Sequence, residues 1–128
     1  MKQLLLFPFL LTLLSGCYDI DEEILPVVGI YRAHIVGVAG PFDLVISTAG
    51  GDDVIIEAPF DGDFWYTVRS DIDNQDERIM DFKINNQQID RDIHMRGKGF
   101  FVNNTIELRY TIDFGNESVN FKLVGTKL

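Results

Sequence analysis

From residue 29 to the end of the chain, apolar and polar side chains take turns. In 79–84 Met80, Phe82 and Ile84 are separated by Asp81 and Lys83. In 105–113 Ile106, Leu108, Tyr110 and Ile112 alternate with Thr105, Glu107, Arg109, Thr111 and Asp113, and in 118–124 Val119, Phe121 and Leu123 alternate with Ser118, Asn120 and Lys122. A period of two puts one face of each strand in a core and the other in water, the habit of antiparallel sheets. No segment after residue 17 sustains the 3.6-residue spacing of an amphipathic helix. The expectation is an all-β domain.

The alternating runs predict about eight strands, near 29–38, 42–48, 53–58, 64–69, 79–84, 88–96, 98–102 with 105–113, and 118–124. Turn residues fall between them: Ala49-Gly50-Gly51-Asp52, Asn85-Asn86, Asn103-Asn104 and Gly115-Asn116. Asn and Gly tolerate the positive φ of tight hairpins. Gly97-Lys98-Gly99, inside a long strand, predicts a bulge or bend that helps a sheet curve. Short connections make sequence neighbours pair, so the strands form a meander that closes into a small barrel or, alternatively, folds into a two-sheet sandwich.

The N-terminus has a different pattern. Lys2 precedes the apolar run 4–14, which is too short for a membrane-spanning helix of about 20 residues but suits a signal-peptide core; Pro8 weakens a lasting helix further. Leu14-Ser15-Gly16-Cys17 then resembles the lipobox of bacterial lipoproteins. The resemblance implies cleavage between Gly16 and Cys17 and a diacylglycerol thioether on Cys17. The chain divides accordingly into a signal peptide (1–16), a lipidated cysteine with an acidic tether (17–26) and a β-domain (27–128). Asp19, Asp21, Glu22 and Glu23 lie in the tether with no base, so self-repulsion extends it. An acidic tract at this place is similar to the surface-export signal of Bacteroidota lipoproteins. That implies an outer-membrane protein held through its lipid and facing outward, with a periplasm-facing anchor as the alternative. Tyr18, rather than Asp, follows Cys17, and by the same resemblance this disfavours retention in the inner membrane.

A length of 128 residues allows one domain. Twenty Asp and Glu against eleven Lys and Arg give a formal charge of −9, which argues against a nucleic-acid partner. The one cysteine excludes an internal disulfide framework and a Cys-rich metal site. Gly29-Ile30-Tyr31, Asp43-Leu44-Val45-Ile46-Ser47, Gly97-Lys98-Gly99-Phe100-Phe101, Ile106 through Ile112 and Val124-Gly125-Thr126-Lys127 resemble small Bacteroidota lipoproteins with a lipocalin-like β-domain. These motifs are turns and core positions, so the resemblance implies a fold and carries no catalytic residue.

Candidate chemistry is sparse. His34 and His94 fall on polar faces, no Gly-x-Ser-x-Gly is present, and no catalytic constellation is legible. Residues 52–77 hold nine carboxylates against Arg69 alone. Within them Asp71, Asp73 and Asp76 echo the start of a calcium loop, although Asp76 occupies the place where such a loop needs glycine; a solvated surface loop is the other reading. No other cofactor is implied. Alternation through 64–69 sets Phe64, Tyr66 and Val68 on the core face and leaves Trp65 on a polar face. There it either stacks on a glycan or protein partner or packs under a loop, with Tyr66 beside it. Arg91 falls on the apolar face between Ile89 and Ile93, where it would meet an anionic ligand inside a barrel or reach out to the rim. The inward set Met80, Phe82, Ile93, Met95, Tyr110 and Phe121 is bulky and favours a filled interior. The expectation is a non-enzymatic, lipid-anchored binding or accessory module for a protein, glycan or small molecule. The alternatives are a lipocalin-like carrier of a small apolar molecule and a purely structural envelope lipoprotein.

Overall fold

The computed structural model describes residues 21–74 and 78–128. The strands are β1 (Gly29–Ile35), β2 (Ala39–Gly50), β3 (Asp53–Ala58), β4 (Tyr66–Asp73), β5 (Met80–Asp90), β6 (Ile93–Val102), β7 (Thr105–Asp113) and β8 (Ser118–Lys127). Each pairs antiparallel with its sequence neighbour, and β8 returns to β1 from Tyr31–Lys127 to Ile35–Leu123. The meander is therefore a closed barrel and not a sandwich; its shortest seam is β4–β5, paired only from Asp71–Lys83 to Asp73–Asp81.

The alternation works as expected. Burial along β1 (Tyr31, Ala33, Ile35), β3 (Val54, Ile56, Ala58), β4 (Tyr66, Val68, Ser70, Ile72) and β7 (Ile106, Leu108, Tyr110, Ile112) falls on every second residue. Ser70 is the one buried polar side chain among the described residues; its hydroxyl donates to the carbonyls of Lys83 and Asp71 at 3.2 and 3.1 Å. Asn103 and Asn104 both take positive φ (51° and 61°), as a two-residue hairpin requires.

Gly97 and Gly99 let β6 lie unusually close to β7. A Cβ on Gly97 would come within 2.6 Å of the Tyr110 Cβ, and one on Gly99 within 2.6 Å of a Leu108 methyl. The pairing runs through Gly97, Lys98 and Gly99 without a shift on either side, so the expected bulge does not lie in this stretch, and the glycines serve the close approach instead.

Several boundaries differ from the sequence expectation. Asn85-Asn86 is no turn: β5 runs through it, and the pairing steps from Ile84–Gly97 to Gln87–Met95, so an extra residue bulges out of one continuous strand. The reversal comes at Arg91-Asp92 instead, where Asp92 has φ 60°. Arg91 thus sits exposed in a turn rather than on the inward face. Residues 98–102 extend β6, and 36–38 form a turn after β1. Phe64 precedes β4 and is 64% exposed, not part of the core. The acidic tether is also shorter than 17–26, because Glu22–Val27 form a 3-10 turn that buries Ile24 and Val27 completely. The apolar pair Ile24 and Val27 outweighs the local charge by covering the barrel mouth. No helix among the described residues is long and apolar enough to cross a membrane. Gly16, Cys17 and Asp76 lie outside the described residues.

Candidate functional site

Both mouths of the barrel are covered. At one end the Glu22–Val27 turn is fixed by three bonds. Tyr31 Oη donates to the Val27 carbonyl at 2.6 Å, Lys127 Nζ to the Pro26 carbonyl at 2.7 Å, and the Asp21 N–H to the Gly51 carbonyl at 3.1 Å. At the other end the β3–β4 connection folds inward. Phe60 is fully buried, meets Tyr110 edge-on (5.4 Å between centroids, 85°) and accepts a 2.7 Å bond from Tyr110 Oη on its carbonyl. Burial raises the hydroxyl pKa of Tyr31 and Tyr110 well above the ordinary phenol range, with the Asp61 charge a lesser contributor at Tyr110, so both remain donors. Between the two covers, Phe82, Met95, Leu108 and Leu123 fill the axis. Of the bulky inward set, Met80, Phe82, Met95 and Tyr110 are buried, while Ile93 and Phe121 are part-buried against the same core.

The connection that carries Phe60 also presents the aromatics. Asp61 organises it: Oδ1 accepts the N–H groups of Asp63 and Phe64, each at 2.8 Å, and Oδ2 accepts Tyr66 Oη at 3.1 Å. Gly62, at φ 87°, closes the turn by donating to the Pro59 carbonyl at 2.8 Å. Held this way, Phe64 and Trp65 project outward, Trp65 being 56% exposed. The Trp65 ring leans edge-on against Phe42 (6.2 Å, 76°), and its indole N–H meets no acceptor among the described residues. Trp65 is accordingly not packed under a loop. Tyr66 is a core residue rather than its partner: 9% exposed, its hydroxyl pKa pushed up to about 12 by burial and by its bond to Asp61.

The acidic segment converges differently from a calcium loop. Asp71 joins Asp52 and Asp53, and ligand-capable atoms of the three lie within 4.8 Å of one another; Asp73 is exposed outside this group. The cause is register, since β4 pairs Asp71 with Asp53 across the ladder whereas Asp73 continues beyond it. Burial, then the neighbouring Asp53, raises the Asp52 pKa; the hydrogen bond with Asp53, then burial, raises that of Asp71. Burial pushes Asp53 up as well, but hydrogen bonds with Asp71 and Arg69 and the Arg69 charge bring it below the ordinary carboxylate range. Arg69 Nε and Nη2 both sit 2.9 Å from Asp53 Oδ2. Such a set shares protons and leans on one guanidinium, and it offers oxygen ligands alone.

The row through Asp53 and Asp71 continues around the barrel wall. Asp71 faces Lys83, Lys83 faces Lys98, Lys98 faces Arg109, and Arg109 faces Lys122. The sign of the belt flips between β4 and β5. Sequence reasoning registers the acidic half, which is contiguous, and misses the basic half, whose members come together only through strand register. His34 and His94 point to the outside of β1 and β6, 34 exposed and 94 part-exposed. No known protein family matches the chain, and no curated protein or solved structure is detectably similar to it.

Proposed function

We propose that the chain is a lipid-anchored protein of the bacterial cell envelope, held at the outer membrane through acyl chains on Cys17 and facing outward. In this reading the barrel is a non-enzymatic binding module that works with its outer surface. The carrying observation is the combination of a filled interior, closed at both mouths, with the exposed aromatics among the described residues standing at one end. Glu22–Val27 cover the end where the chain enters the barrel; Phe64 and Trp65 stand at the opposite end. An anchor ahead of residue 21 would point that aromatic end away from the membrane. An exposed, apolar-sided indole with a spare N–H is suited to stacking on a sugar or anchoring a protein partner.

The lipocalin-like carrier shares the eight-strand meander, but Phe60, Tyr110 and Phe82 occupy the volume a cargo would need. The sequence resemblance to small Bacteroidota lipoproteins agrees with the anchored reading and adds no ligand.

Intact mass of the protein extracted from its native membrane tests the anchor. A mass increase matching acyl chains on a chain starting at Cys17, lost together with membrane retention in Cys17→Ser, is the expected result. An unacylated mass sinks the proposal. Protease added to whole cells tests the outward display: cleavage before lysis supports it, and resistance that ends on lysis overturns it.

A further inference from the structure

We infer that the outer face of β5–β8 is a binding groove for an acidic polysaccharide, a site separate from Trp65 and independent of whether Cys17 is acylated. An open groove of about 970 Å³ runs across these strands, and five cations line it: Lys83, Arg96, Lys98, Arg109 and Lys122. No carboxylate is among its lining residues, in a chain whose net charge is −9. Glu107 lies at the margin and is shared by two of the cations, 3.3 Å from Arg109 and 3.5 Å from Lys122. Lys83, Arg96 and Lys98 form no ion pair among the described residues, and of the three only Lys83 has an acidic neighbour across the ladder, Asp71. Unpaired like charges on neighbouring strands repel, and burial explains none of them, because all three are exposed. A concave surface lined by one sign concentrates its field on an incoming counter-ion.

The spacing defines the ligand. Lys83, Lys98, Arg109 and Lys122 stand side by side on four consecutive strands, so they repeat about every 4.8 Å over roughly 14 Å. That is a ladder for an extended polymer carrying one anion per unit. Beside the ladder lie Asn86, Asn120 and Thr111, amide and hydroxyl groups that both donate and accept, as recognition of sugar hydroxyls requires. Val36 and Val38, each about half exposed (51% and 52%), form an apolar flank for the C–H faces of sugar rings, with the part-buried Phe121 behind them. An extended acidic peptide would gain most by pairing with a strand edge, and β6 and β7, at the centre of the groove, are paired on both sides. A single-stranded nucleic acid would need open aromatic platforms for its bases, and the two rings at the groove, Tyr110 and Phe121, are buried and part-buried.

Titration calorimetry on the full chain in detergent, with hexagalacturonate as probe, tests this. Saturable binding is expected, weakening as salt rises, with maltohexaose and hexaglutamate at least tenfold weaker. The double variant K83Q/K98Q should lose at least tenfold, K98R should bind like the parent, and the charge-matched R32Q/R91Q should change less than twofold. Absence of saturable binding, equal losses in both double variants, or K98R behaving like K83Q/K98Q would each overturn the inference. Hexaglutamate binding as tightly as the saccharide would reassign the groove to an acidic peptide. Concentration-dependent self-association without any saccharide, abolished in K83Q/K98Q, would reassign it to a second copy of the chain.

Discussion

If the interior is filled and closed from above by Phe60, truncating that side chain must be among the most damaging single changes available in the β3–β4 connection. Phe60→Ala removes a ring with no solvent exposure and takes away the edge-on partner of Tyr110. Phe to Ala truncations in cores cost about 3–5 kcal/mol, part of it for the cavity left behind. For a domain of this size about 1 kcal/mol moves the melting temperature by 4–8 °C, so the drop should be on the order of 12–40 °C. Urea denaturation should show a lower midpoint at an unchanged slope. Tyr110→Phe separates the parts: the ring contact stays, the bond to the Phe60 carbonyl is lost, and the cost should be about 1–3 kcal/mol. A void lined by Tyr110 and its neighbours should accept a small apolar guest, so benzene should restore part of the stability of Phe60→Ala and leave the parent unchanged. A cost below about 1 kcal/mol for Phe60→Ala, or benzene stabilising the parent equally, would refute the plug and revive the carrier.

Three further outcomes follow from the same geometry. Asp71→Asn keeps a donor toward Asp53 but removes a like charge. The raised pKa of Asp71 means that the folded state holds this proton more tightly, so its contribution is present at pH below the ordinary carboxylate range and is lost as pH rises through the folded value. Denaturation across pH 4–7 should therefore show the variant falling less steeply over that rise and gaining a few tenths of a kcal/mol, up to about 1, at pH 7, the small size reflecting solvent screening. Ile24→Ala should cost about 2–5 kcal/mol in the same assay, since Ile24 is wholly buried; a cost near zero would make the 3-10 turn an ornament of the tether. Asp61→Ala removes the acceptor of three hydrogen bonds and should lower the fluorescence anisotropy of Trp65, the sole tryptophan, with a stability loss of about 1–3 kcal/mol. Unchanged anisotropy would show that something other than Asp61 holds the aromatic end in place.

What the sequence makes legible is whatever depends on residues one or two apart. Inside and outside follow from alternation, which is why Met80, Phe82, Met95 and Tyr110 land in the core as expected. The Asn103-Asn104 hairpin is equally local, because the positive φ it needs is a property of those two residues. Asn85-Asn86 carries the same signal and bulges instead. The continuing pairing of Gln87 with Met95 and Gln88 with His94 holds the strand together past it, a tertiary fact with no local mark. The same misplaced turn accounts for Arg91: a strand drawn straight through 88–96 puts it on the face of Ile89 and Ile93, which do pack against the core, whereas the chain reverses at Arg91-Asp92 and leaves it exposed.

The site follows the same division. Trp65 is recognisable as the aromatic on the polar face, yet its exposure depends on Asp61 tying the loop beneath it. The calcium reading joins Asp71 with Asp73 because they are near in sequence, but residues two apart on a strand stand about 7 Å from each other while a partner directly across the ladder stands at about 5 Å. Asp53 therefore displaces Asp73 as the neighbour of Asp71. The basic ladder is the extreme case: four residues from four strands, each flanked locally by apolar or neutral side chains, become one row only after eight strands have chosen their register. Closing the barrel both creates that row and pairs away the strand edges, apart from the short β4–β5 seam, through which a small β-domain would otherwise recruit partners. With most edges paired and the interior filled, recognition is left to side chains on the outer wall, where charge is already sorted by strand.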